Sequence, residues 1–137
     1  MSVRRLTVAG LGLIGGSVAL AARRADADVA IRAVDEDPDT LSFALREGVA
    51  DEALSTTDAA EAGWFGPGAA DLVVLATPVP VTVRLLASLG RLGYDGIVTD
   101  VASTRAPWWS PRAARSKTAR DTGSWAGTRW RVPSAAG

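Results

Sequence analysis

Short apolar runs alternate with segments whose apolar positions recur every three or four residues, and turns rich in glycine and acidic residues separate them. "RRLTVAG" predicts a strand delivered into a glycine turn. "LIGGSVALAARRA" follows with helical spacing, placing Leu13/Ile14, Ser17/Val18 and Ala21/Ala22 on one face. "DVAIRAVD" predicts a second strand, closed by Asp35. In "DPDTLSFALREG", Asp37 caps a helix, Pro38 suits its first position, Leu41, Ala44 and Leu45 share a face, and Gly48 stops it. "VADEALSTTDAAEAGWFGPGAA" predicts a short strand near 49–51, a brief helix from Asp58 and a Gly-Pro-Gly loop. "DLVVLATP" is near-continuously apolar, as a central parallel strand covered on both faces requires. Pro80 opens a helix carried by Val83, Leu86 and Leu89, and "GIVTDVAS" predicts the next strand. Strand and helix alternate without internal repeats, so the expected architecture is α/β with a doubly wound parallel sheet.

Beyond residue 107 this pattern stops. The expected division is therefore a compact domain over 1–107 and an irregular or disordered tail over 108–137. The tail holds Trp108, Trp109, Trp125 and Trp130. Charge divides at the same place: residues 1–107 hold nine Arg against fourteen Asp or Glu, whereas residues 108–137 hold six Arg or Lys against one Asp. A nucleic-acid partner can thus be argued for the tail alone, and composition is the simpler explanation there. With 137 residues there is room for one sizeable core. Trp64 and Phe65 fit either a small satellite core under a loop or a functional surface.

The chain has no cysteine and no histidine, which excludes a disulfide framework, thiolate metal sites and the commonest general base near neutral pH. No metal site is expected. No apolar run approaches the roughly 20 residues that span a bilayer, and the start is not that of a signal peptide. The expectation is a cytoplasmic protein without a membrane partner.

"VAGLGLIGGS" contains Gly10-x-Gly12-x-x-Gly15 between a strand and a helix. There Gly10 permits a tight turn, Gly12 lets backbone approach a pyrophosphate, and Gly15 lets the helix pack closely. Free N–H groups at the helix start favour the phosphate charge. Asp35, at the end of the second strand, can accept both ribose hydroxyls and would repel a 2′-phosphate, so NAD is expected over NADP. The competing reading is that Asp35 merely caps a turn in "DEDPD". The joint pattern favours a Rossmann-type dinucleotide site.

"GLGLIGGSVAL", "AVDEDPDTLSFALREGVADEA", "DLVVLATPVP" and "GIVTDVASTRAP" together resemble the N-terminal, NAD-binding domain of the prephenate dehydrogenase family, from about residue 5 to residue 107. The resemblance implies an NAD-dependent oxidoreductase of tyrosine biosynthesis, converting prephenate to 4-hydroxyphenylpyruvate, with arogenate as the alternative substrate. It implies that Gly10, Gly12, Leu13, Ile14 and Gly15 line the pyrophosphate and that Asp35 holds the ribose. Ala76, Thr77 and Pro78 would lie along the nicotinamide side, and Ser103 would help position the substrate hydroxyl. Arg105 stands where the family commonly has lysine and receives no role. The family further implies a histidine in a "GGHPMAG" stretch, and a C-terminal helical domain that dimerises and binds the substrate carboxylates.

This chain has no histidine, and that domain is expected to be absent. Read one base out of frame, however, the codons from Trp125 permit Gly-Gly-His-Pro-Met-Ala-Gly, and those at Pro107–Ser110 permit Val-Val-Glu, the family's continuation. The expectation is a truncated, frameshifted and inactive polypeptide whose strand at 97–101 is left as an exposed edge. Two alternatives remain: a non-catalytic, redox-sensing dinucleotide module whose basic tail meets a partner, and a dehydrogenase of similar fold with another substrate.

Overall fold

The computed structural model describes residues 2–101, and the backbone of residues 129–131. Six strands form one sheet in the order β3-β2-β1-β4-β5-β6. They are β1 (Arg5–Ala9), β2 (Ala30–Val34), β3 (Glu52–Leu54), β4 (Leu72–Leu75), β5 (Ile97–Asp100) and β6 (Arg129–Arg131). The first five pair in parallel, with Val8 between Ala33 of β2 and Val74 of β4. Helices α1 (Leu13–Ala25), α2 (Pro38–Arg46), α3 (Thr56–Glu61) and α4 (Val79–Arg91) make the crossovers. The chain leaves β1 towards β2 and β3, then returns to β4 on the other side of β1. That reversal opens a crevice at the carboxyl ends of β1 and β4.

Two apolar clusters sandwich the sheet. One gathers Leu6, Val8, Ala19, Ile31, Ala44 and Val74 under α1 and α2. The other gathers Val34, Trp64, Phe65, Val73, Leu85, Leu89 and Tyr94 under α3 and α4. Trp64 and Phe65 therefore belong to a main core, at 4% and 1% exposure, rather than to a satellite. Arg32 lies over the Trp64 ring at 5.0 Å and pairs with Glu52, fastening that core to β2 and β3.

Asp37 caps α2 by accepting from the Asp39 N–H, Pro38 begins the helix, and Gly48 leaves it at φ +69, as the sequence predicts. Other expectations shift. The strand expected near 49–51 lies at Glu52–Leu54, and the helix expected from Asp58 starts at Thr56 because Ser55 accepts from the Asp58 N–H as its cap. On α1 the buried residues are Gly15 and Ala19, while Leu13 is 89% exposed. On α4 they are Thr82, Leu85 and Leu89, with Val83 turned outward. Nor is β5 a bare edge: β6 pairs with it antiparallel, Trp130 opposite Val98.

Candidate functional site

The crevice holds a cavity of about 330 Å³ lined by the carboxyl ends of β1 and β2, by the segments that follow β1, β2 and β4, and by residues of α3 and α4. Gly10 turns the chain at φ +87, a left-handed conformation that glycine adopts without strain. A side chain there would also stand 2.5 Å from the Ala76 carbonyl oxygen. The Gly10 N–H donates to the Val34 carbonyl at 2.7 Å, fixing the turn to the end of β2. Gly15 lies directly beneath, where a Cβ would overlap the Gly10 carbonyl. Its closeness is thus to the turn itself rather than to the strand. Gly12 differs from both. It occupies the N-cap of α1 with no side-chain cap bond, and a Cβ on it would meet nothing within 4 Å. The first-turn amides of α1 have no intrahelical acceptors, and no acidic residue stands in that turn.

Asp35 faces this turn. Its Oδ2 accepts the Leu11 N–H at 2.8 Å and its Oδ1 accepts the Asp37 N–H at 3.0 Å. The carboxylate therefore caps a local turn, as one of the two readings of the sequence expects, and also holds the glycine loop. On the opposite wall, the Ala76 N–H donates to the Ala9 carbonyl at 2.8 Å, placing Ala76, Thr77 and Pro78 beside the end of β1.

Of the residues singled out from sequence, Gly10, Gly12, Asp35, Ala76, Thr77 and Pro78 line one cavity. Leu13 and Ile14 stand exposed on the first turn of α1, and Gly15 supports the turn from below without lining the cavity. Ser103 lies outside the described residues. Sequence reasoning missed Ala9, Val34, Glu36, Thr56, Val81 and Leu85, which complete the lining. Glu36 accepts the Thr56 N–H at 3.0 Å, joining the end of β2 to the start of α3. The rule that ligands gather beyond the carboxyl ends of parallel strands points to Thr56, but only once β3 is placed correctly.

A glycine turn opening a helix, an acidic residue closing the next strand and the end of a third strand, all meeting at a topological switch point, define a Rossmann-type nucleotide-binding domain. The chain belongs to the prephenate dehydrogenase family: the family model described as "Prephenate dehydrogenase, nucleotide-binding domain" matches residues 18–115. The prephenate dehydrogenase of Bacillus subtilis (strain 168) is 36% identical over 102 residues, which are 73% of this chain and 26% of that protein. The prephenate dehydrogenase of A. aeolicus, solved in complex with hydroxyphenyl propionate and NAD+, superposes with a TM-score of 0.66 at 29% identity, over 78% of this chain and 36% of that one. The arogenate dehydrogenase of Synechocystis gives 0.64 at 28% identity, over 80% and 37%. The chain thus spans about a quarter of the Bacillus protein's length. No helix among the described residues is long and apolar enough to cross a membrane.

Proposed function

We propose that the cleft binds NAD and that the chain is the nucleotide-binding part of an enzyme that oxidises prephenate or arogenate. The observation that carries this reading is the meeting of Gly12, Asp35 and Ala76–Pro78 on one cavity. The open space over Gly12 and the uncapped start of α1 fit a pyrophosphate, which backbone amides and the helix dipole would hold. Leu13 and Ile14 would flank it, and Gly15 would keep the turn in place. Asp35 would accept the adenosine ribose hydroxyls while still gripping the Leu11 amide. Asp35 and the adjoining Glu36 disfavour a 2′-phosphate, so NAD is preferred to NADP. Ala76, Thr77 and Pro78 would flank the nicotinamide, which when bound accepts the hydride. Ser103 would position the substrate hydroxyl.

Oxidation also requires an acceptor for the proton of that hydroxyl. The 137 residues contain no histidine to serve as that acceptor. We attribute that lack to a lost base near codon 107. Sequencing the coding DNA tests it: the Pro107 codon must end in G, Thr128 must be ACC and Arg129 must be CGA, and any other codons sink the frame reading. For the cofactor, titration calorimetry of the full chain should show NAD+ binding, with NADP+ at least about tenfold weaker. Equal affinities, or none for NAD+, would refute the assignment.

A further inference from the structure

Thr82 is a polar side chain at 1% exposure on the inward face of α4, where an aliphatic residue would be ordinary. Its hydroxyl has one hydrogen to give, and the Thr77 carbonyl accepts it at 3.1 Å. Thr77 Oγ1 lies 2.8 Å from Thr82 Oγ1. Either hydroxyl could donate in that contact; when the Thr82 hydrogen goes to the carbonyl, Thr77 is the donor between the two hydroxyls. The Thr77 methyl points the other way, towards Gly10, where a Cβ would stand 3.0 Å from Cγ2. Thr77 lines the cleft, and in that arrangement its hydrogen is given to Thr82 and its remaining lone pairs are left for a ligand.

We propose that Thr82 is a positioning residue: the Thr82–Thr77 relay makes the Thr77 hydroxyl a fixed acceptor in the cleft, matched to an N–H or O–H donor on the nicotinamide-ribose half of the dinucleotide. A free hydroxyl could rotate to present either its hydrogen or its lone pairs. The relay removes that choice before the ligand arrives. This inference rests on the dinucleotide reading above and adds to it a residue that never touches the ligand.

Titration calorimetry on the full chain with two ligands, NAD+ and ADP, tests it, because ADP lacks the nicotinamide-ribose half. Thr82→Val should weaken NAD+ about three- to tenfold, the range of one neutral hydrogen bond, and leave ADP unchanged. Thr82→Ser, which keeps the hydroxyl, should retain wild-type affinity for both. Thr77→Val, at a half-buried position less able to disturb folding, should reproduce the selective loss. Combining Thr77→Val with Thr82→Val should add nothing further. The proposal is overturned if Thr82→Val leaves NAD+ binding intact, if it weakens NAD+ and ADP alike, if the serine variant fails as the valine does, or if the double variant shows additive losses. A wild-type chain that binds ADP but not NAD+ overturns it too, and one that binds neither overturns the dinucleotide reading with it.

Discussion

Asp35 spends both carboxylate oxygens on backbone amides, one of them from the glycine loop 24 residues earlier. Asp35→Ala therefore releases the loop that carries Gly12, in addition to removing the proposed ribose contact. Hydrogen bonds to a charged group contribute about 1.5–3 kcal/mol each, so NAD+ affinity should fall at least about tenfold in a calorimetric titration. The two glycines on either side of the loop should separate function from folding. Gly12→Ala places a methyl group in open space at an ordinary φ of −66. It should leave the urea midpoint nearly unchanged while weakening NAD+. Gly15→Ala drives a methyl into the Gly10 carbonyl, and it should cost about 1–3 kcal/mol or more in the same urea experiment. Both glycines are visible in the sequence as members of one motif. Their different tasks are not, because the distinction depends on what lies opposite each Cα.

Among the secondary-structure elements, strands were more legible than helix faces. β1 and β4 are apolar because α1 and α2 cover one side of them and α3 and α4 the other, and such runs identify themselves. The buried faces of α1 and α4 depart from the apolar pattern for two different reasons. The start of α1 borders the cleft, so Leu13 and Ile14 are apolar without being core, and the sheet is met instead by small residues that allow close approach. On α4 a threonine takes an interior position because Thr77 satisfies its hydroxyl locally, and the buried stripe turns by about one residue. A third case concerns the join between α4 and β5. Tyr94 is fully buried, and its hydroxyl donates towards the Ala70 carbonyl at 3.1 Å and the Ile97 carbonyl at 3.3 Å. Burial, together with nearby Asp71 and Asp95, holds its pKa well above the ordinary phenol value, so it remains a donor throughout the usual pH range. A Cβ on Gly96 would collide with this hydroxyl and stand 2.7 Å from the Ala70 carbonyl. Tyr94→Phe should thus cost about 1 kcal/mol in urea unfolding, and Gly96→Ala should cost more than Tyr94→Phe.

For the folded domain taken together, acid is the informative variable. Amides of Arg5 and Arg4, at 2.8 and 2.9 Å, hold the Asp71 carboxyl below its ordinary value, with the two positive side chains adding to the effect. At Asp51, burial works the other way, but the Ile31 amide and the Arg23 guanidinium outweigh it and leave the pKa lowered. A carboxyl depressed in the folded state binds its proton more readily in the unfolded chain. Its stabilisation is therefore complete above about pH 4 and is lost as pH falls through the folded-state value. The melting temperature should be flat from pH 7 to 5 and decline steeply towards pH 3, and Asp71→Asn should make that decline shallower. A melting curve that rises on acidification would contradict the assignment. Both carboxylates are indistinguishable in sequence from the solvated acids around them, since what sets them apart is the amide each meets across the sheet.

The strand order has a consequence for synthesis. β1 leaves the ribosome first yet sits at the centre of the parallel sheet, between β2 and β4. One side of it can be zipped by β2 early, whereas the other waits for Leu75, 66 residues after Ala9. At roughly 5–20 residues per second, that wait lasts on the order of 3–13 s. For those seconds the nascent chain offers the row of unpaired amides and carbonyls that other strands find attractive. Holdase chaperones should therefore crosslink to stalled chains whose exposed portion ends before residue 71, and lose their grip once β4 has cleared the exit tunnel.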